Sequence, residues 1–234
     1  MNDWYISDNH FQHNNIIKYT GRTQFMRKEE LEQYNKIMCI QNDSEQREAM
    51  KKLQISKEST DIHDEVQIKK WNERVAPEDR VWYGGDFCFT YEGSKRPSYF
   101  IERLNGKIIF ITGNHDRKKR NGLNSKAEAV RLRDGGWLIW MTHDPRHIRF
   151  DCDINFCGHV HKKWQFARID KNAGLGQFGE PKINTTKAKP NYSSIVDVVN
   201  LSVDVWDFYP QTIASIKKMY WRWRNAYESG MIGN

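Results

Sequence analysis

Short apolar runs that break into the same kinds of polar residue constrain this chain more than any other feature. WYIS (4–7) is followed by Asp8-Asn9-His10, VWY (81–83) by Gly84-Gly85-Asp86, and IIFIT (108–112) by Gly113-Asn114-His115-Asp116. WLIWMT (137–142) runs into His143-Asp144, and INFC (154–157) into Gly158-His159-Val160-His161. Each run has the length and the aromatic and β-branched content of a strand, and a further strand is expected over 198–205. Between the first two runs, 26–75 is rich in Glu, Lys, Gln and spaced Leu/Ile. That pattern predicts helices, interrupted near 42–44 and 56–61. Strands alternating with helices predict α/β layers around a sheet.

One strand ending in Gly-Asn-His-Asp is an ordinary turn signal. Five such ends place carboxylate, amide and imidazole at one edge, because sites in open α/β sheets form at the C-terminal ends of strands. Seven of the eight histidines lie in or beside these ends, and only His63 lies well away. In an extended segment, DxH and HxH put two side chains on one side. Glycines before Asp86, Asn114 and His159 let the backbone turn toward a shared centre. Such a donor set suits Mn, Fe, Zn or Ni. The donors are too many for one ion; two dications roughly 3.5–4 Å apart, sharing a carboxylate, would use them all.

The remaining features bound the answer. At 234 residues and 38% hydrophobic content, 1–234 can form one substantial domain with its own core. No apolar run approaches the roughly 18–20 residues of a membrane span, and a strand-like segment starting at Trp4 leaves no room for a leader. Four cysteines without CxxC spacing fit a reducing compartment, so a cytoplasmic protein is expected. The net charge of +7, with RKKR at 117–120 and KKMYWRWR at 217–224, suits an anionic substrate or nucleic acid, and equally a solvated basic face. Trp140 and Trp206 are expected in the core. The aromatic residues of 221–224 either pack on the domain or stack on bases. The polar segment 168–194 reads as a long loop.

The ordered blocks DxH, GD, GNHD, H and GHxH resemble those of the calcineurin-like metallophosphoesterases, from Asp8 to about Pro210. SDNHFQHNNII, WNERVAPEDRVWYGGDF and NLSVDVWDFYP are similar to stretches of small bacterial and phage members. The resemblance implies a four-layer αββα sandwich, two mixed β-sheets flanked by helices. It implies two divalent metal ions, Mn first, with Fe, Zn or Ni as substitutes. One ion falls to Asp8, His10 and His161, the other to Asn114, His143 and His159, with Asp86 bridging. His115 takes the place of the residue that contacts phosphate and protonates the leaving oxygen.

The implied activity is metal-dependent hydrolysis of a phosphate mono- or diester, a nucleotide or other small ester. A nuclease or nucleic-acid end phosphatase is the alternative, and a non-catalytic scaffold the third reading. Protein Ser/Thr phosphatases of this superfamily read GDxxDRG, whereas here Phe89 and Thr90 stand at the Asp and Arg places. Asp116 is therefore expected to orient His115, and Arg22, Arg117 or Arg146 to grip phosphate. His13 either touches substrate or stands behind the ligands, and Asp144 either orients His143 or caps a turn. Insertions at about 36–63 (helical) and 168–194 (loop) are expected to flank the site mouth. The expected location is a bacterial or phage-infected host cytosol, away from membranes.

Overall fold

Three apolar runs of the N-terminal half pair in parallel because helices fill the crossovers between them. The computed structural model describes residues 1–116, 123, 127–176, 180–181 and 194–232. Its helices are α1 (Asn14–Tyr19), α2 (Lys28–Met38), α3 (Asp43–Lys52), α4 (Lys57–Asn72), α5 (Pro97–Ile101) and α6 (Ile213–Glu228). The strands are β1 (Asp3–Ile6), β2 (Arg80–Tyr83), β3 (Lys107–Phe110), β4 (Ala129–Asp134), β5 (Trp137–Thr142), β6 (Ile154–Cys157), β7 (Phe166–Asp170), β8 (Ile195–Asn200) and β9 (Gln211–Thr212). They form two mixed sheets, ordered β3-β2-β1-β9 and β4-β5-β6-β8-β7, flanked by helices as the resemblance implies. β1, β2 and β3 run parallel, as do β5, β6 and β8, while β9, β4 and β7 are antiparallel edges.

Alternation along the strands decides which side chains meet. In β1, Tyr5 faces the second sheet, where its ring meets Phe156 edge-on at 5.2 Å. Its neighbour Ile6 faces the other way, into a core with Trp71 of α4 and Phe100 of α5. The core between the sheets adds Ile139, Met141 and Val199, and α6 inserts Ile216 and Tyr220 into it. On the far face of the second sheet, Cys157, Ile169 and Val198 are covered by Ile148, Phe150, Trp164 and Leu175 from connecting segments.

The interruptions expected in 26–75 turn out to be caps. Asn42 accepts hydrogen bonds from the N–H groups of Ser44 and Glu45, and Ser56 accepts one from Ser59, so each starts a new helix. Three strands lie outside the sequence expectation. β4 alternates Val130 and Leu132 inward with exposed Arg131 and Arg133, and joins β5 through Gly135-Gly136. Both glycines have positive φ, 54° and 82°, as a tight hairpin turn of this hand requires. β7 occupies the start of the segment read as a loop, because Arg168 on it pairs with Asp197 of β8 at 2.8 Å. The rest of that segment lies largely outside the described residues. The strand expected over 198–205 is instead β8 ending at Asn200, followed by a 3-10 turn at Val203–Val205.

Of the C-terminal aromatic run, Trp223 stacks near Phe166 and Arg224 pairs with Asp197, while Trp221 stays half-exposed. Trp206 is buried in the core, and Trp140 is half-buried with its indole N–H on the His147 carbonyl. The basic run 117–120 lies outside the described residues. Among the described residues no helix is long and apolar enough to cross a membrane. All four cysteines are free.

Candidate metal centre

The loops that leave β1 and β2 stay paired beyond the strands. Asp8 N–H donates to the Gly85 carbonyl, His10 N–H to Asp86 and Phe11 N–H to Phe87. These segments are not extended, and here the sequence reading needs correcting. Asp8, His10 and Gln12 have φ of 60°, 53° and 62°; Asp86 has 58°, and His159 and His161 have 72° and 50°. Left-handed residues at every second position, rather than a pleated strand, aim Asp8 with His10 and His159 with His161. Holding a non-glycine residue in this region costs about 1–3 kcal/mol, so the surroundings must over-determine it. They do: the Asp8 carboxylate accepts the His159 N–H at 3.0 and 3.1 Å and the Ser7 hydroxyl at 2.5 Å. The Gln12 N–H is held by Asp64, and the Asn9 N–H by the Tyr83 hydroxyl.

The side chains so aimed converge. Among the described residues, three groups have donor atoms within 4.8 Å of one another and could hold a metal ion: Asp8, His10 and His161; His10, Asp86 and His115; Asp86, His143 and His159. Asp86 Oδ2 lies 3.5 Å from His10 Nε2 and 3.2 Å from His143 Nε2, between the two sides. Asn114 Oδ1 lies 2.9 Å from both His143 Nε2 and His159 Nδ1. His10 Nε2 is buried with no hydrogen-bond partner. A buried nitrogen of this kind is costly to leave unmatched, and its facing carboxylates make a cation the matching partner. The donor set therefore fits divalent metal.

Protonation follows from burial and charge. Burial, followed by the neighbouring His161 and Arg22, pushes the His10 pKa well down, which leaves a neutral imidazole with a lone pair. Burial also lowers His143, but the Asp86 carboxylate outweighs it and draws its pKa up to about 10. Burial raises Asp86, and His143 overrides that to hold it at about 2. A dication between them would replace this internal ion pair.

Close approach leaves no room for side chains on the glycines. A Cβ on Gly113 would lie 2.1 Å from Asp86 Oδ1 and 2.3 Å from the Asp86 nitrogen. Gly113→Ala is expected to displace the Asp86 loop, lowering both melting temperature and metal stoichiometry. Calorimetry and elemental analysis of the purified variant check this.

The polar groups behind the centre set ring orientation, and sequence reasoning missed most of them. Nδ1 of His143 donates to the Gly84 carbonyl at 2.8 Å, leaving Nε2 to face the site. Nδ1 of His161 donates to Asp204 Oδ2 at 2.8 Å, with the same consequence. Asp204 is buried, and burial raises its pKa, but the Arg22 guanidinium and His161 hold it far below the usual carboxylate range.

Arg22 was expected to grip phosphate, and its contacts exclude that. Its side chain is 1% exposed; Nε and Nη2 clamp Asp204 at 2.8 Å, Nη2 also donates to the Asp8 carbonyl, and Nη1 meets the Asn9 carbonyl and His63. Every donor of the guanidinium is engaged inside the protein. His63, remote from the strand ends in sequence, is fully buried directly behind them. Asp116 also takes a different place: its carboxylate accepts the N–H groups of Asp86, Phe87 and Gly113, clamping two loops together. The expectation that it orients His115 gives way to this loop-bracing position.

Facing the mouth are His115, half-buried and 5.2 Å from the His10 ring, and His13, whose ring stacks on Phe89 at 4.4 Å. Burial, then His115 and Arg22, lower the His13 pKa to about 3, so it stays neutral. Phe89, one of the two departures from the phosphatase pattern, thus supports a histidine. Asp144 caps the 3-10 turn at Pro145–His147 by accepting the Arg146 N–H. Arg146 is exposed and paired with Asp144. Arg117 lies outside the described residues.

No family model matches the chain. Uncharacterized protein MJ1445 of Methanocaldococcus jannaschii is 31% identical over 155 residues, which are 61% of this chain and 69% of that protein. The crystal structure of AQ665, a protein of unknown function from Aquifex aeolicus, matches with a TM-score of 0.53 and 18% identity, over 93% of this chain and 98% of that one. A single mutant of Vps29 from Entamoeba histolytica aligns at a TM-score of 0.33 and 14% identity, over 86% and 73%. Two mixed sheets flanked by helices, with Asp- and His-bearing loops gathered at one edge, are the architecture of this chain, and the Aquifex match shows a likeness of fold. The chain belongs to the same family as the Methanocaldococcus protein.

Proposed function

We propose that the protein is a dimetal phosphoesterase that hydrolyses a phosphate mono- or diester. Asp8, His10 and His161 would hold one divalent cation and Asn114, His143 and His159 the other, with Asp86 available to both. The reading is supported above all by His10 Nε2, buried without a hydrogen-bond partner 3.5 Å from Asp86 Oδ2. Mixed imidazole, carboxylate and amide donors suit Mn, Fe, Zn or Ni, and the resemblance noted in the sequence puts Mn first. Bound there, the cations supply a water of lowered pKa as nucleophile and neutralise the phosphoryl oxygens.

The protein's own groups do the rest. Gly84 and Asp204 fix the rings of His143 and His161, so no reorientation is needed when substrate arrives. His115, half-buried at the mouth and anchored by its backbone N–H on Asp86 Oδ1 at 2.9 Å, donates a proton from its imidazole to the leaving oxygen. The four free cysteines support a reducing, cytoplasmic setting.

The test is an Mn titration with assays on p-nitrophenyl phosphate and bis-p-nitrophenyl phosphate. Two Mn per chain and turnover of one ester are expected, and their ratio assigns mono- or diester preference. His115→Ala should lose on the order of 10²-fold in kcat while keeping both ions. Protein that binds no Mn and cleaves neither ester would be a scaffold, and the proposal would fail.

A further inference from the structure

Beside the metal centre, α1, α2 and α3 wall a cavity of about 530 Å3, within the roughly 300–1,000 Å3 of small-molecule sites. We propose that this cavity binds the nucleoside of a nucleotide substrate, an inference that rests on the phosphoesterase reading above. Its position ties it to the site. Lys162, on its wall, directly follows His161. The Lys162 ammonium lies against Gly21, next to Arg22: a Cβ on Gly21 would meet Lys162 Nζ at 2.6 Å and the Tyr34 hydroxyl at 3.0 Å. Lys18, also on the wall, is five helical residues beyond His13 at the site mouth, about 7.5 Å along the axis. A ligand with its phosphate between the metal-facing loops can therefore lay its other end in the cavity.

The lining selects what that end is. Tyr34, Met38 and Met50 give flat and polarizable apolar surface, suited to a planar ring. Lys18 is 3% exposed, and its ammonium donates to the carbonyls of Lys51 at 3.1 Å and Leu53 at 2.6 Å. An ammonium has three donors, and the third faces only the Tyr19 ring, 5.2 Å from its centroid, a weak partner that a ring carbonyl or ring nitrogen can replace. No carboxylate lines the cavity among the described residues, and Arg47 and Lys162 have no described ion pair, so the local charge is positive. An apolar slot with a buried hydrogen-bond donor and a basic rim, adjoining a phosphate-hydrolysing centre, matches a nucleotide. It does not match a plain sugar phosphate, which has no ring face to stack.

The experiment measures adenosine 5′-monophosphate binding by calorimetry, with p-nitrophenyl phosphate turnover recorded on the same preparations of the Mn-loaded protein. Tyr34→Ala and Met50→Glu should each weaken nucleotide binding at least about tenfold. Turnover of p-nitrophenyl phosphate, which carries no nucleoside, should stay within about twofold. Met50 is only partly buried where Tyr34 is 9% exposed, so Met50→Glu disturbs the core less and carries the test if Tyr34→Ala does not fold. Nucleotide affinity unchanged in the folded variants overturns the inference, as does binding of a short oligonucleotide or peptide but not the mononucleotide. Variant-sensitive nucleotide binding in a protein that cleaves no phosphate ester upholds the cavity and overturns the hydrolase.

Discussion

Asp86→Asn is expected to leave a folded protein that has lost essentially all phosphoesterase turnover. The amide keeps the shape of the carboxyl and can still accept the His115 N–H, now held by Asp86 Oδ1 at 2.9 Å. What disappears is the one negative oxygen placed between His10 Nε2 and His143 Nε2. Without it, two dications repel each other across the gap, and the second binds weakly or not at all. The expected loss in kcat exceeds the roughly 10⁴-fold upper range for removing a proton donor, because the nucleophile itself is no longer generated. Elemental analysis should read one ion per chain or fewer. Two tightly bound ions with turnover near wild type would exclude Asp86 as the bridging ligand.

Asp204→Ala should do something different, damaging stability and metal affinity together. Removing this carboxylate strands the Arg22 guanidinium in a site where both side chains are at most 4% exposed. Breaking a buried pair from one side costs about 3–5 kcal/mol. The same change frees the His161 ring, and loss of such an orienting partner typically weakens metal binding by about 10–100-fold. Denaturant titration and Mn titration measure the two effects separately. A variant as stable as wild type, with unchanged Mn affinity, would show that the Arg22–Asp204–His161 chain has no part in the centre.

The convergence of the strand ends was legible because each donor block is contiguous and follows an apolar run. The groups behind them were not, for a physical reason. Asp204 meets Arg22 from 182 residues away and His161 from 43, and in sequence it looks like any aspartate in a turn. His63 sits mid-helix in α4, and only the fold carries it behind the β1 loop. Arg22 illustrates the converse error: an arginine near a suspected phosphate site reads as a grip until its burial is known. The DxH and HxH spacing led to the right neighbours through the wrong backbone, because left-handed residues at alternate positions leave no compositional mark outside glycine and asparagine. β4 was overlooked although Val130 and Leu132 alternate with arginines as in a half-buried strand, because only two apolar side chains carry the pattern.

The five-donor engagement of Arg22 has a mechanical outcome. One side chain staples the loop after β1, the helix α4 and the turn at Val203–Val205, which otherwise belong to three distant parts of the polymer. The helical flank and the loops of the candidate metal centre are thus tied into one body. Hydrogen exchange should find their amides opening together, so heat or a chelator that loosens one will loosen the other.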